Sequence, residues 1–478
     1  MDDRGILRFD NPLRAGRHLL PWSFLFAPYA LRPNVKATGF LQPIQHMVGG
    51  EAGEAFAMYA GQFNAGGLSL TCAANDVFAT HNGTPAWRHY FHSLNWLQHF
   101  VASRRNLHAH YALRLLGRWA KCAARSVDVE ALATRVMALA SDGQALARQC
   151  EPLLQNEFLQ IASVQASRLA KITPRNAEAA VMKAVALLYA ITAFRGLEAL
   201  RPSATQLLQA NIDKLILADG GHVSREPEKL VAVLAMLLPL RKAMKAGHHA
   251  FPVNSVERML PMLGLFVPGD DGLTQLKGSD RQRDMVKAII EMDEIRAKPL
   301  AIAPHSGFAR LSQNTACLIV DTKQRCEMEF SNGPERLFRN INLTHSLGTT
   351  ADLRQSSQGS LLHVKLDDGS TRTCFLAGDG ADLRVEDKHN GTCQLLFEIH
   401  PEVKVSMLRA GAGLMMVTPG RTVWILSWRG GDLHMEQNGA ILKITNSNQD
   451  RVNWAMKKQT RVVKSQGRKA GSTRDLLS

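Results

Sequence analysis

The chain has few cysteines, and no two of them form a CxxC pair. Seven cysteines are spread over 478 residues, and their number is odd. This argues against a disulfide framework and against a structural zinc site of the CxxC type. We therefore expect most thiols to be reduced core residues, as in a cytoplasmic protein, and we expect no metal and no other cofactor.

Long apolar runs are also absent. No stretch approaches the roughly 18–20 uninterrupted apolar residues that a membrane helix needs, so we expect no membrane span. The best candidate for a targeting segment, Leu19–Ala30, follows Arg14 and Arg17 but is interrupted by Pro21 and Pro28. We interpret it as a buried, proline-broken segment, with a secretory signal as the alternative. The compartment therefore stays open between the cytoplasm and the periplasm or cell envelope.

Acidic residues are scarce relative to basic ones. The 57 Lys and Arg residues outnumber the 42 Asp and Glu residues, which makes the formal net charge +15. Such a balance favours acidic partners, namely nucleic acid, anionic lipid or an acidic polysaccharide. Part of the excess lies in the tail Lys457–Ser478, where seven basic residues face one acid. We interpret this tail as a solvated, disordered end, for which solubility alone is a sufficient role.

The hydrophobic pattern is mostly helical from Glu51 to about Val267. Apolar residues recur at helical spacing, and Ala, Leu, Met and Gln dominate. The segments concerned are Val127–Ala140, Glu151–Leu169, Ala177–Leu200, Ala204–Leu217, Pro227–Ala246 and Ser255–Phe266, with one more helix at Asp280–Ile295. Pro239 and Pro261 are expected to kink their helices. Short links between consecutive helices imply antiparallel helical hairpins.

After Pro304 the segments shorten and turn signals crowd together. The predicted strands are Thr315–Asp321, Cys326–Phe330, Leu361–Leu366, Arg372–Leu376, Gln394–His400, Gly413–Val417 and Thr422–Trp428. Short strands at this spacing favour an antiparallel sandwich or roll. We therefore predict an N-terminal extension at 1–50, a helical domain at 51–298, a β domain at 299–458 and a basic tail at 459–478.

An aromatic stretch, Trp87–Leu97, lies early in the helical region. It places His92, Trp96 and His99 on one helical face. Aromatic rings with polar edges can stack on sugar rings while neighbouring His and Asn groups bond hydroxyls. Trp87, His92 and Trp96 are therefore candidate ligand contacts, and the alternative is that the tryptophans anchor this helix in the core.

A loop with two adjacent glycines, Asp219–Pro227, separates two predicted helices. Ser224 can cap the second helix, with Pro227 in its first turn. His222 and Arg225 on such a loop suit an anionic ligand, because Arg pairs with a carboxylate by two hydrogen bonds and His titrates near neutrality. The alternative is a plain capping turn.

Two later segments carry single histidines: His305 in Ala303–Phe308 and His400 in Phe397–Lys404. Taken in order with the preceding features, they resemble the heparinase II/III-like family of bacterial proteins, relatives of the polysaccharide lyases. The sequence segments that carry the resemblance are Leu94–Leu97, Asp219–Pro227, Leu238–Arg241, Asp271–Leu273, Pro304–Gly307, Leu383–Asp387, Ile399–Lys404 and Val452–Lys457. They extend over most of the chain.

The resemblance implies an α+β multidomain fold, an incomplete (α/α) toroid of helical hairpins followed by an antiparallel β-sandwich, with a cleft between them. It also implies β-elimination on a uronic-acid polysaccharide. The substrate carboxylate is neutralised, a base removes the C5 proton, and an acid protonates the leaving oxygen. The catalytic residues implied are His222, Arg225, His345 and His400. The substrate-binding residues are Trp87, His92, Trp96, Lys229, Arg241 and His305.

The sequence departs from the family pattern at several positions. Lys229 lies two residues after Pro227, where the lyases carry a tyrosine a little beyond the Asp-Gly motif, and all five tyrosines precede this loop. Thr344–Leu347, which contains His345, matches the family's sandwich histidine motif only loosely. Glu398 occupies a position where relatives have histidine, so a metal is not expected.

Two function classes follow from this resemblance. One is a carbon–oxygen lyase that cleaves an acidic polysaccharide in the cleft between the two regions. The other is a glycan-binding protein of the cell envelope whose catalytic set has eroded, since a fold does not determine a function. A nucleic-acid partner is permitted by the charge, but no recognised nucleic-acid motif supports it.

Overall fold

The structure is a computed structural model, and it describes most of the chain from residue 35 to residue 459. The described ranges are 35–74, 76–78, 83–122, 129–279, 282–293, 297–324, 326–342, 347–408, 413–446 and 450–459. The candidate targeting segment Leu19–Ala30, most of the basic tail and His345 lie outside them. The chain divides into two compact units, which we call the helical unit (residues 1–211 and 239–252) and the sandwich unit (212–238 and 253–478).

The helical unit consists of consecutive helices with four short strands. Its helices are α1 (Ala52–Tyr59), α2 (Pro85–Ser93), α3 (Leu97–Ser103), α4 (Asn106–Cys122), α5 (Val129–Ala147), α6 (Pro152–Lys171), α7 (Ala177–Ala193) and most of α8 (Arg201–Leu215). The strands are β1 (Gly39–Phe40), β2 (Gln62–Ala65), β3 (Leu68–Thr71) and β4 (Phe194–Arg195). Helix α9 (Pro227–Ala246) begins in the sandwich unit and ends in the helical unit.

Local sequence signals explain several helix ends in this unit. The side chain of Asn176 accepts the amide of Ala179 at 2.8 Å and so caps α7. The predicted helix Ala177–Leu200 nevertheless ends at Ala193, because the next two residues form β4, which pairs antiparallel with β1. Pro152 occupies the first turn of α6, where its missing N–H costs nothing.

The sandwich unit adds two helices, α10 (Ser255–Phe266) and α11 (Arg283–Met292), and two antiparallel sheets of eight strands each. One sheet has the order β10-β11-β12-β13-β20-β17-β16-β15 and the other β18-β19-β14-β9-β8-β7-β6-β5. The strands are β5 (Ile302–Ala303), β6 (Phe308–Gln313), β7 (Ala316–Asp321), β8 (Met328–Asn332), β9 (Glu335–Asn342), β10 (Gly348–Ser356), β11 (Gly359–Leu366), β12 (Thr371–Ala377), β13 (Asp382–Lys388), β14 (Gln394–Ile399), β15 (Lys404–Met407), β16 (Leu414–Val417), β17 (Val423–Arg429), β18 (Gly431–Glu436), β19 (Ile441–Asn446) and β20 (Arg451–Lys458).

A single hydrophobic core lies between the two sheets. Alternate residues of β12, β13 and β14 are buried, as the period of a strand requires. Aromatic rings meet across the sheets: the ring centroids of Phe330 and Trp424 are 5.4 Å apart, and those of Phe338 and Trp454 are 5.7 Å apart. The predicted fold class, helices followed by an antiparallel sandwich, is confirmed.

Two further expectations concern burial and membrane insertion. Cys150, Cys317, Cys326, Cys374 and Cys393 are buried free thiols, which confirms the prediction that most cysteines are core residues. Within the described ranges, no helix combines the length and the apolar character that crossing a bilayer requires.

Candidate functional site

The loop between α8 and α9, residues 219–226, is folded tightly onto the end of α8. The amide of Leu217 donates to the carbonyl of Gly221 at 2.8 Å, and that of Val223 donates to the carbonyl of Leu215 at 2.7 Å. Gly220 has φ +86°, and a Cβ there would lie 1.9 Å from the carbonyl oxygen of Arg258. Only glycine fits this position, which explains why the first residue of the Gly220-Gly221 pair is a glycine.

Asp219 joins this loop to the start of the β-sandwich. Its Oδ2 accepts from the backbone amide of Ser306 at 2.7 Å and from its hydroxyl at 3.0 Å, while Oδ1 accepts from the amide of Gly221 at 3.2 Å. Hydrogen bonds therefore join two sequence segments that were singled out separately, Asp219–Pro227 and Pro304–Gly307.

Arg225 makes the second connection between loop and sandwich, from a backbone with φ +62°. Its Nε donates to the carbonyl of Ser306 at 2.6 Å, and its Nη2 donates to the carbonyl of Gly307 at 3.3 Å and pairs with Asp321. The Asp321 carboxylate is completely buried. The guanidinium also lies 5.0 Å from the ring centroid of Phe308. Its positive charge therefore already neutralises a carboxylate of the protein.

His222, in the sandwich unit, is only 4% exposed. The amide and the hydroxyl of Ser224 lie 3.1 and 2.8 Å from its Nδ1. Because the backbone N–H can only donate, Nδ1 acts as an acceptor, and the neutral ring carries its proton on Nε2. Ser224 thus sets the tautomer of a histidine that solvent barely reaches.

Two pockets adjoin each other in the sandwich unit and share Gly278 and Arg339. The first pocket has a volume of about 530 Å³ and is lined by Lys277, Gly278, Gln324, Glu327, Arg339, Ile341 and Leu347. The second pocket has a volume of about 350 Å³ and is lined by Gln275, Gly278, Ser279, Glu329, Arg336, Phe338, Arg339, Glu398, Ile399, His400 and Pro401. Their amide, hydroxyl and charged groups suit a polar ligand.

Carboxylates compensate the basic groups of the first pocket. Lys277 lies 3.1 Å from the Asp321 carboxylate, which also binds Arg225. Arg339 donates from Nε to Glu398 at 2.9 Å and from Nη1 to Glu327 at 3.1 Å. Burial raises the pKa of Glu327, and the charge of Arg339 acts in the opposite direction. Together these groups leave the pocket close to electrically neutral.

A buried ion-pair network supports the wall of the second pocket. Arg336 donates to both oxygens of Asp270, at 3.1 and 3.0 Å, and lies 2.7 Å from Glu329. Glu329 also accepts from the hydroxyl of Thr274 at 2.6 Å and from the amide of Gln275 at 2.7 Å. Removing one partner of such a network typically costs about 3–5 kcal/mol, because the other charge is left buried and unpaired.

His400 is the predicted catalytic residue that lines a pocket. It is half-buried in the second pocket, and its backbone amide donates to the carbonyl of Leu337 at 3.0 Å. Its Nδ1 accepts the amide of Glu402 at 3.4 Å. Glu398, two residues earlier, pairs with Arg339. A series of ion pairs, Arg225–Asp321–Lys277 and Arg339–Glu398, therefore extends from the loop towards His400.

The two candidate sugar-stacking tryptophans are core residues. Trp87 and Trp96 are at most 1% exposed. Their indole N–H groups donate to the carbonyls of Phe63 and Phe91 at 3.1 and 3.0 Å. Neither ring face is open to a ligand, so the stacking role is corrected to a structural one. The sequence pattern suited both roles, and burial decides between them.

His92 is half-buried beside the same core. Trp119 donates to its Nδ1 at 3.2 Å, and Arg135 donates to its carbonyl at 2.6 Å. Burial, followed by the charges of Arg135 and Arg88, lowers the pKa of His92 to about 4. The ring is therefore neutral at physiological pH and acts as a hydrogen-bond acceptor within the helical unit.

Lys229, Arg241 and His305 line neither of the two pockets. Lys229 is half-buried in the first turn of α9, within the sandwich unit, whereas Arg241 is half-buried in the part of α9 that belongs to the helical unit. His305 is exposed, and its carbonyl accepts from Lys323 Nζ at 2.6 Å. His345 lies outside the described residues. In the described part of the chain, no group of three or more His, Cys, Asp or Glu side chains could hold a metal ion.

The most informative pocket residues were not found from the sequence. Lys277 and Arg339 line the first pocket, and Asp321 pairs with Lys277. They come from a short 3-10 helix, from the middle of β9 and from the end of β7, which are far apart in the chain. Each is a single charged residue without a repeated spacing, and only their convergence in space marks them. Strand β9, which carries Arg339, was itself not predicted, because it follows its turn without a clear alternation.

Comparison with known proteins places these observations in context. No family model matches the sequence. The chain is 28% identical over 266 residues to FtsZ-localized protein C of Caulobacter vibrioides, a match that covers 54% of this chain and 46% of that protein. The chain thus spans about half the length of the curated relative that it matches.

Solved structures resemble the chain over much more of its length. Heparinase III covers 91% of the chain and 89% of its own, with a TM-score of 0.63 and 13% identity. Heparan sulfate lyase HepC of Pedobacter heparinus, in a mutant form, covers 91% and 87%, with a TM-score of 0.58 and 12% identity. The resemblance expected from the short sequence segments is confirmed at the level of the fold. The chain has the fold of the heparinase-type polysaccharide lyases.

Proposed function

We propose that this protein binds an acidic polysaccharide and does not cleave it. Two facts support a saccharide ligand of this kind: the lyase fold, and a net charge of +15 that attracts polyanions. The observation that carries the proposal is the engagement of Arg225 with Asp321, Ser306 and Gly307. An arginine that already pairs with a buried carboxylate is not available to neutralise a uronic acid.

The other groups that β-elimination needs are also poorly supplied in the sandwich unit. The reaction requires a base near the C5 proton and an acid near the leaving oxygen. The tyrosine that lyases of this type use has no counterpart here, since the last tyrosine of the chain is Tyr189. His222 is buried, and Lys229 could act as a base only with a lowered pKa.

The pockets favour binding over chemistry. Their basic groups are compensated by Asp321, Glu327 and Glu398, so no uncompensated positive charge stabilises a developing enolate there. Amide and hydroxyl groups such as those of Gln324 and Ser279 suit sugar hydroxyls. The ligand is therefore expected to be recognised through hydroxyls in these pockets and through acidic groups elsewhere.

The test combines a binding and a cleavage assay on one panel of heparin, heparan sulfate, chondroitin sulfate and hyaluronan. Binding is measured by titration calorimetry, and cleavage by the ultraviolet absorbance of the unsaturated uronic product. We expect binding to at least one polysaccharide with no rise in absorbance. A rise that disappears in a His400→Ala variant, or in a His222→Ala, His345→Ala double variant, would instead establish a lyase. No binding to any member would reject a polysaccharide ligand.

A second candidate function rests on the sequence match to FtsZ-localized protein C. A protein that has lost catalysis can retain its fold as a scaffold for another partner. The candidate is association with FtsZ, tested by sedimenting the full chain with polymers of purified FtsZ. Recovery of the chain in the polymer pellet, and not with unpolymerised FtsZ, supports this candidate, whereas recovery in the supernatant in both cases rejects it.

A further inference from the structure

Two aromatic side chains are exposed among the described residues, and both lie on α1. Phe56 and Tyr59 are each 42% exposed, whereas the tryptophans and the other phenylalanines and tyrosines of the described ranges are buried or half-buried. They are separated by three positions on one helix, so their side chains are neighbours on its surface. Such a pair is unusual in a chain whose aromatic content is only 6%.

The segment that leads into α4 completes a surface around these rings. The guanidinium carbon of Arg105 lies 4.7 Å from the ring centroid of Phe56. We call the surface formed by Phe56, Tyr59 and Arg105 the aromatic patch. It combines two exposed rings and a cation.

Buried groups hold the exposed rings in place. His108 lies beneath them, with ring centroids 4.7 Å from Phe56 and 5.1 Å from Tyr59. Burial lowers the pKa of His108, so the supporting ring is uncharged at neutral pH. Tyr111 contacts Tyr59 at 5.2 Å and donates its hydroxyl to the carbonyl of Met58 at 3.0 Å. Rings fixed in advance lose little conformational entropy when a ligand stacks on them.

Basic residues predominate in the part of the sequence that supplies Arg105. Residues 77–127 contain seven Lys or Arg residues and no Asp or Glu, and Arg104 and Arg105 are both exposed. The acidic residues nearest in sequence to the two rings are Glu51 and Glu54. Glu51 immediately precedes α1, and Glu54 lies in its first turn. Glu54 accepts from Asn64 at 3.4 Å. An anionic ligand at the rings therefore meets the exposed guanidinium of Arg105.

We propose that the aromatic patch is the surface on which the helical unit binds an acidic polysaccharide. The apolar C–H face of a sugar ring stacks on Phe56 and Tyr59, and Arg105 pairs with the carboxylate or sulfate of the same chain. This inference rests on the proposed function and adds the surface that recognises the acidic groups. It also transfers the stacking role expected of Trp87 and Trp96 to two residues that solvent reaches.

The experiment measures the affinity of the full chain for heparin and for hyaluronan by titration calorimetry. The test variants are a Phe56→Ala, Tyr59→Ala double variant and Arg105→Gln. The matched control is an Arg148→Gln, Leu153→Ala double variant, which removes an exposed cation and an exposed apolar group elsewhere in the helical unit. Removing both rings is expected to raise Kd about tenfold, and the control to leave it unchanged.

The outcomes separate this inference from the proposed function. If the wild-type chain binds and the double variant binds equally well, the aromatic patch is not the binding surface, although the proposed function stands. If the wild-type chain binds neither of these two polysaccharides nor the other two members of the panel above, both are rejected. A single-stranded DNA of matched charge is the competitor: tighter binding of DNA, steeply weakened by salt, would overturn the choice of ligand. A Tyr59→Phe variant should bind like the wild type, since the ring remains.

Discussion

Replacing Asp321 with asparagine tests whether the 219–226 loop is held to the sandwich by its ion pair. The carboxylate is completely buried, pairs with Arg225 and lies 3.1 Å from Lys277. It also accepts the amides of Lys323 and Gln324, each at 2.9 Å. Removing one partner of a buried pair leaves a buried charge uncompensated, which costs about 3–5 kcal/mol. We expect a loss at the lower end of this range, because Arg225 keeps its two carbonyl acceptors.

The assay is hydrogen–deuterium exchange of the full chain, read by mass spectrometry. A loss of about 3 kcal/mol in the opening free energy speeds exchange on the order of a hundredfold in peptides that span 217–230 and 303–324. The control is Asp352→Asn, because Asp352 pairs with Arg354 on the surface at 3.1 Å and an exposed pair contributes only about 0–1 kcal/mol.

An Arg225→Met, Asp321→Asn double variant provides the second arm of this test. It removes both charges of the buried ion pair, and the asparagine oxygen can still accept the amides of Lys323 and Gln324, so we expect part of the loss to be recovered. The reasoning is refuted if Asp321→Asn changes exchange in the two peptides by less than about threefold. It is equally refuted if the double variant exchanges faster than the single one.

Three further predictions concern stability. Trp87→Ala should lower the unfolding free energy of the helical unit by about 3–5 kcal/mol, seen as an earlier thermal transition, since the ring is 1% exposed. Gly220→Ala should lower the Tm far more than Gly278→Ala, because only Gly220 has backbone within 2 Å of the added Cβ, although both have φ > 0. The unfolding free energy should fall as the pH drops from 6.5 to about 4. Burial lowers the pKa of His92 to about 4 in the folded protein, so the unfolded chain binds the proton at a higher pH than the folded protein does. A His92→Gln variant should show a smaller fall in Tm over this window, and an unchanged fall would contradict the assignment.

The helices were the most predictable part of the fold. Pro227–Ala246 and Ser255–Phe266 have the bounds that hydrophobic spacing predicts, even though each contains an internal proline. Ala177–Ala193 was predicted seven residues too long, because helix propensity continues past the point where β4 pairs with β1. Local pattern therefore determines where a helix exists, and tertiary pairing determines where it ends.

Turn residues on both sides helped to locate some of the strands, although β13 was missed between two such turns. β12 and β14 have strong turn signals at their ends and were found, whereas β10, β18 and β19 were not. β10 and β18 are edge strands of their sheets, and most of their residues are exposed or half-buried. An edge strand with little buried surface carries a weak hydrophobic alternation, so its sequence resembles that of a loop.

The candidate site was harder to predict because burial and pairing cannot be read from residue type. An arginine on a glycine-rich loop suits a substrate carboxylate and a buried aspartate equally well, and the difference lies in Asp321, which is 96 positions away from Arg225. The same ambiguity applies to Trp87, whose ring is suited to a sugar or to a core. Phe56 and Tyr59 have no distinguishing pattern either, and their exposure alone draws attention to them.

Several of the sequence segments that carried the family resemblance contain residues whose contacts stabilise the fold. Asp219 binds Ser306, the carbonyl of Leu273 accepts from Arg336 at 2.6 Å, and Asp387 pairs with the buried Arg372. These contacts stabilise the fold. Each requires particular residue types at its two positions, whether or not the protein cleaves a substrate. A resemblance built from such positions follows the fold and carries little information about chemistry. This explains how the sequence could indicate a lyase fold correctly without indicating whether the protein carries out elimination.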